Sequence, residues 1–296
     1  MITPQASKII LSKAFEIAKE SENATIMAYY SDISSYLKEE DSLFSDDSIK
    51  KIIVMKEDEF EENEEEIEVL KNIGEIVKVP SIKFDRINKI KVALMICTSS
   101  GILSKDDDVI ALSGSMNQVD TLIFLDISKE KELLSFKGDI DLEKSVKPEV
   151  FEKVLRIALE LANHGREGKS VGAIFVLGDK DKVLENVKQM IFNPFKGYAP
   201  DERNILKANL DDTLKEYSLL DGAIVIDCNG VIETAGAYIS VSAAVEDLPK
   251  GLGARHIAAA SITAVTNAIS IVVSESTGDV TIFKNGSIIT RIEKVS

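Results

Sequence analysis

Ile257-Ala-Ala-Ala-Ser-Ile-Thr-Ala-Val-Thr-Asn-Ala-Ile-Ser-Ile-Val-Val273 carries no charged residue and is long enough to raise the question of a membrane span. Ser261, Thr263, Thr266, Asn267 and Ser270 are distributed through it, however, and its two halves differ in kind. The first is alanine-rich and favours helix; the second is rich in β-branched residues and favours strand. The stretch predicts a buried helix running directly into a buried strand, within a soluble α/β layer.

The flanking sequence extends the same pattern. Val280 to Lys284 and Ser287 to Ile292 read as strands around Asn285-Gly286, a dipeptide suited to a two-residue hairpin because both positions tolerate positive φ. Upstream, strands at Ala223 to Asp227 and Val231 to Thr234 are joined by a turn at Asn229-Gly230. Before them stand an amphipathic helix over Glu149 to Asn163, a loop from His164 to Lys169, a buried strand at Val171 to Leu177 and a helix over Glu202 to Tyr217. Consecutive hairpins cannot all be parallel, so this half predicts an α/β domain with a mixed sheet.

The N-terminal half reads as an α/β sandwich with a mostly parallel sheet. Thr3-Pro4 opens a helix carrying Ile9, Ile10, Ala14, Ile17 and Ala18. Strand-like segments follow at Ala24 to Tyr30, Lys51 to Met55, Lys91 to Cys97, Val109 to Ser113 and Thr121 to Asp126, separated by polar helical stretches. The acidic run from Glu57 to Glu68 reads as a solvated face. From Ser128 to Lys147 the chain is polar and aperiodic, which places the junction between domains at 1–127 and 145–296.

Composition narrows the function. The 296 residues hold 50 acidic against 35 basic side chains, a net charge of −15, which argues against a polyanionic partner such as nucleic acid. Cys97 and Cys228 fit no disulfide framework or zinc cluster, and Met1 to Lys8 lacks a signal-peptide pattern, so a reducing cytoplasm and no membrane partner are expected.

No P-loop or dinucleotide fingerprint occurs. Three segments of the last third carry chemistry instead. Asp221-Gly222-Ala223 puts a carboxylate and two small residues at the start of a strand, which suits a close-lying ligand or a cation, or else simply a helix-to-strand turn. Gly251-Leu-Gly253-Ala-Arg255-His256 leads into a helix whose N-terminus favours an anion; an arginine and a histidine there need a compensating negative charge. Ser274-Glu275-Ser-Thr-Gly278 ends a strand with hydroxyls and a carboxylate, as a site rim or a loop into a hairpin. Tyr238 could stack a base or fill the core. Together these features suit a nucleoside triphosphate with a divalent cation.

At these residues the sequence resembles the diadenylate cyclase (DAC, DisA_N) family. The likeness runs through Gly165-Arg-Glu-Gly168, Gly172-Ala-Ile-Phe-Val-Leu-Gly-Asp179, Phe192-Asn-Pro-Phe-Lys-Gly-Tyr198, Asp221-Gly-Ala223, Leu252-Gly-Ala-Arg-His256, Val272-Val-Ser-Glu-Ser-Thr-Gly278 and Phe283-Lys-Asn-Gly286. The resemblance implies condensation of two ATP molecules into cyclic di-AMP with release of two pyrophosphates, in sites that face each other across a two-fold self-association. It implies a divalent metal, manganese first with magnesium or cobalt as alternatives, contacted by Asp221, His256 and Glu275. Asp221, Arg255 and His256 would be catalytic. Gly222, Ala223, Tyr238, Ile239, Gly253, Arg255, Ser274 and Glu275 would bind substrate, with Tyr238 and Ile239 at the adenine. Ala254 and Ile257 stand where the family carries polar phosphate contacts, as in its archaeal DacZ-type branch. The other function class compatible with these changes is a non-catalytic nucleotide sensor. More faintly, Asp107-Asp-Val-Ile-Ala-Leu-Ser-Gly-Ser115 and Asp120-Thr-Leu122 resemble the pyruvate kinase C-terminal domain, implying a regulatory or oligomerising first domain.

Overall fold

The computed structural model describes residues 3–294 except 22, 39–42, 105, 130–145, 166–167, 242–247 and 250. Most of the polar stretch between Ser128 and Lys147, and Arg166 and Glu167 of the loop expected at His164 to Lys169, lie outside the described residues. The chain divides into two compact units, residues 1–130 and 131–296.

In the first unit, the Thr3 hydroxyl accepts from the Ala6 N–H and caps helix α1 (Pro4–Glu20). Strands β1 (Ala24–Tyr29), β2 (Lys50–Lys56), β3 (Glu75–Val79), β4 (Asp108–Ser115) and β5 (Gln118–Asp126) form one sheet in the order β3-β2-β1-β4-β5. The first four are parallel and β5 returns antiparallel on β4, the mostly parallel sheet expected. Helices α2 (Tyr30–Leu37), α3 (Glu57–Glu62), α4 (Glu64–Ile73) and α5 (Arg86–Ser99) fill the connections.

Helix α5 corrects the strand expected at Lys91 to Cys97. Every residue from Val92 to Cys97 is buried, so the segment has no polar face from which a helical period could be read. What starts the helix lies upstream, where the Asp85 carboxylate accepts from the Asn88 N–H at 2.7 Å.

The second unit begins with α6 (Pro148–His164), whose Val150, Val154, Leu155, Ile157, Ala158 and Leu161 are all buried. It continues through β6 (Ala173–Leu177), α7 (Lys180–Glu185), β7 (Val187–Gln189), α8 (Asp211–Tyr217), β8 (Ala223–Ile226), β9 (Ile232–Ile239), α9 (Ala254–Val265), β10 (Ile269–Val273), β11 (Val280–Lys284) and β12 (Ser287–Ile292). The sheet order is β12-β11-β10-β6-β8-β9-β7, with β6 and β8 parallel and the other neighbours antiparallel, so the sheet is mixed as expected.

The uncharged stretch forms α9 and β10 in succession. Among the described residues, no helix is long and apolar enough to cross a membrane. Strands β6, β8, β10 and β11 are buried along their whole length, which requires cover on both faces. On one face Ala259, Ala260 and Ile262 of α9 pack with Ile174, Val176, Val225 and Val272. Side chains alternate along a strand, so Phe175 and Ile271 point the other way, where α6 packs on β6 and β10. Asn285 and Gly286 take φ of 50° and 74° in the hairpin, the sign that such a turn requires.

The helix expected over Glu202 to Tyr217 is confined to α8. Residues ahead of it spend their backbone groups on the β8–β9 turn: Ile205 N–H donates to the Gly230 carbonyl at 2.9 Å, and Ile232 N–H to the Arg203 carbonyl at 2.8 Å. Those bonds are incompatible with a helical ladder. Ion pairs from Asp211 to Lys153 (2.6 Å) and Arg156 (2.5 Å), and from Lys215 to Glu160 (2.6 Å), hold α8 against α6 and so fix the entry of the chain into β8.

Candidate active site

Strands β6 and β8 present their amino ends at one end of this sheet, and the antiparallel β9 and β10 present their carboxyl ends there. Asp221 and Gly222 enter from the start of β8, Tyr238 and Ile239 from the end of β9, Ser274 and Glu275 from just beyond β10. Arg255 and His256 come from the first turn of α9, with Gly253 as its N-cap. These elements surround a cavity of about 760 Å³, within the ordinary range for small-molecule sites. Every site residue expected from the sequence lines it, as do Met190 and Ser276.

Arg255 is the electrostatic centre of the wall. Its Nη1 donates to Glu275 Oε2 at 3.1 Å, and its Nη2 lies 3.6 Å from Asp221 Oδ1. The compensating negative charge that a cation at a helix N-terminus needs is thus supplied by two carboxylates, one just before β8 and one just beyond β10. The Asp221 side chain is 86% exposed and that of Glu275 63% exposed, so the pairs contribute little to stability, and both carboxylates are free to exchange partners. Gly253 carries no side chain over the α9 N-terminus, and the first turn contains no acidic residue, which leaves the end of the helix dipole uncompensated apart from these carboxylates.

His256 is buried and meets Phe283 edge-on, with ring centroids 6.0 Å apart. Burial, reinforced by the Arg291 guanidinium, holds its imidazole below the ordinary histidine range against the opposing pull of Asp279, so the neutral ring is favoured. Ser274 has a local task as well: its hydroxyl accepts from the Thr277 N–H at 3.3 Å and shapes the turn that carries Glu275.

Gly222 is required on two counts. Its φ is +108°, and an added Cβ would sit 2.7 Å from the Gly236 carbonyl carbon and 2.8 Å from the Ala237 nitrogen, both backbone atoms. The absence of a side chain therefore lets β9 lie close and brings Tyr238, 56% exposed, to the cavity rim.

Asp221 and Glu275 offer hard carboxylate oxygens on one wall, the donor class that magnesium and manganese take. Among the described residues no group of three or more His, Cys, Asp or Glu side chains forms a metal cage. The donors present fit an ion that takes one or two protein carboxylates and completes its coordination with other oxygen ligands.

Sequence reasoning missed Met190, which follows the short edge strand β7, and Gly172, which stands just before β6 and packs beneath Arg255. A strand as short as β7 gives no periodicity to read. Gly172 was visible only as one letter of a motif.

Residues 160–288 match the family described as DAC, DisA bacterial checkpoint controller nucleotide-binding. The chain is 35% identical over 191 residues to a diadenylate cyclase of Methanocaldococcus jannaschii, covering 64% of this chain and 60% of that protein. It is 40% identical over 168 residues to a diadenylate cyclase of Haloferax volcanii, covering 55% of this chain and 60% of that protein. The matches thus span about 60% of the length of these two relatives. A crystal structure of DacA from Staphylococcus aureus, 23% identical, superposes over 50% of this chain and 87% of that one with a TM-score of 0.33.

Proposed function

We propose that this chain, whose residues 160–288 are a domain of the DAC family, joins two ATP molecules into cyclic di-AMP and releases two pyrophosphates. The observation that carries this reading is the cavity wall on which Asp221, Arg255, Glu275 and the α9 N-terminus meet, although they come from separate parts of the chain.

In this reading the ribose 3′-oxygen of one ATP attacks the α-phosphorus of the other. The new P–O bond forms as the bond to pyrophosphate breaks, and a second, reciprocal transfer closes the ring. The product needs each nucleotide to supply both nucleophile and electrophile, so two copies of the cavity must face one another about a two-fold axis. The exposure of Asp221 and Tyr238 at the rim supports such an arrangement.

Arg255 orients the triphosphate and offsets charge that develops on the transferring phosphoryl group, together with the α9 amides. Tyr238 and Ile239 hold the base. A divalent cation, manganese first with magnesium or cobalt as alternatives, would be held by Asp221 and Glu275 beside His256, and would favour ionisation of the 3′-hydroxyl. Arg255 gives up its carboxylate partners when phosphate and cation arrive, an exchange that costs little because the pairs are exposed.

A second reading, a nucleotide sensor without turnover, draws on Ile257. It is 52% exposed on the first turn of α9 and offers phosphate no polar group. Incubating the purified chain with ATP and manganese and assaying products by mass spectrometry separates the two. Cyclic di-AMP with two equivalents of pyrophosphate is expected; ATP binding without product would leave the sensor.

A further inference from the structure

We infer that Gly172 is a positioning residue: the space left by its missing side chain is where the Arg255 guanidinium lies, and this sets how the cavity meets a triphosphate. The inference rests on the reading of the cavity as a nucleotide site and extends it to a residue that does not line it.

Gly172 is buried immediately before β6, and the pairing of Ala173 with Val273 brings it alongside the turn that carries Glu275. A Cβ at this position would stand 2.5 Å from Arg255 Nη1, 2.9 Å from its Cζ and 3.0 Å from Glu275 Cβ. Carbon and nitrogen atoms in contact prefer about 3.5 Å or more, so alanine and the observed Arg255 conformation exclude each other. Gly172 differs from Gly222 in what makes it glycine. Its backbone is not in the left-handed region, so an alanine could adopt it without strain. The atoms that an alanine would strike first are the far end of a flexible side chain, whereas those around Gly222 belong to the main chain.

The consequence is directional. Gly172→Ala moves Arg255 first, and asks the turn at Glu275, whose Cβ lies at 3.0 Å, to give by only a few tenths of an ångström. The moved guanidinium loses the place, 3.1 Å from Glu275 and 3.6 Å from Asp221, from which it would exchange those carboxylates for phosphate. Gly172 thus acts through Arg255, a relation that a double-mutant cycle isolates.

The test uses the full chain as wild type, Gly172→Ala, Arg255→Ala and the double variant. Each is titrated calorimetrically with 3′-deoxy-ATP and magnesium, a ligand that lacks the nucleophile and cannot turn over. Gly172→Ala is expected to weaken binding about tenfold, the scale of one charge-assisted hydrogen bond. In the Arg255→Ala background the same change is expected to shift Kd by less than about twofold, and the melting midpoint should stay within about 2 °C throughout. Wild-type affinity in Gly172→Ala, or an equal loss in both backgrounds, overturns the inference. If the wild type binds no 3′-deoxy-ATP, the nucleotide reading falls, and a crystal structure of Gly172→Ala decides the steric step separately. A guanidinium displaced from Glu275 supports that step, and one still within hydrogen-bond distance refutes it.

Discussion

Replacing Gly222 by alanine should damage the fold of the second unit, and the size of the effect follows from two features of the structure. The residue holds φ at +108°, a region that costs a side-chain-bearing residue roughly 1–3 kcal/mol. The new Cβ would also meet main-chain atoms of Gly236 and Ala237 at 2.7–2.9 Å. Ala237 is paired with Ala223 in the β8–β9 ladder, so relief requires the strands to part, an overpacking cost of a further 1–3 kcal/mol or so. Taking about 3 kcal/mol in total, and about 2–4 °C per kcal/mol for a unit of this size, the melting midpoint should fall by about 6–12 °C. Differential scanning calorimetry of the full chain, with Gly172→Ala run in parallel, measures it. A Gly222→Ala midpoint within about 2 °C of wild type would refute the argument, since it would mean that the close approach of β9 is not structural.

Asp221→Asn should behave in the opposite way. Its side chain is largely exposed, so removing the ion pair should cost less than about 1 kcal/mol and leave the melting curve in place, while cyclic di-AMP synthesis drops at least about a hundredfold; undiminished synthesis removes Asp221 from its assigned role. Specific activity should fall on dilution as facing copies separate while ATP binding persists, so full activity in a monomer verified by light scattering would exclude the two-site mechanism. Chelation with EDTA should stop synthesis and added manganese restore it; synthesis that continues in EDTA would rule out the cation. Lys284, buried beside Asn267, has its ammonium pushed down to about 8 by desolvation. Between pH 8 and the ordinary lysine value near 10.5, the unfolded chain therefore holds a proton that the folded chain has lost, and stability contributed at this site rises with pH. Wild type should accordingly gain stability relative to Lys284→Met across that window in thermal melts, and a difference that is flat with pH would contradict the burial argument.

Much of the second unit was legible because its signals are local. Asn285-Gly286 specifies a hairpin through the dihedrals those two residues accept, and both adopt positive φ. The stripe of α6 is legible because one face packs apolar residues on the sheet while the other carries charged residues, several of them paired with α8, so burial writes a period into the residues. The uncharged run resolved into α9 and β10 because propensity changes within it. Where burial is complete that period vanishes, which is why the Val92 to Cys97 segment of α5 reads as a strand. The turns before α8 were misread for another reason. Their backbone groups bond to Gly230 and Ile232, residues distant in sequence whose pairing no local propensity encodes.

What the sequence by itself determined was the chemical inventory: a carboxylate with two small neighbours, an arginine and histidine at a glycine-led helix start, and a hydroxyl-carboxylate rim, all in an α/β layer. Each of these depends on residue type and short-range geometry. Only the tertiary structure decided that Arg255 stands between Asp221 and Glu275, that Met190 closes part of the cavity, and that Gly172 is small because a guanidinium occupies its side-chain space. Those relations are set by strand order and by the approach of main chain to side chain across the sheet. They are distances between residues that no spacing along the chain can encode.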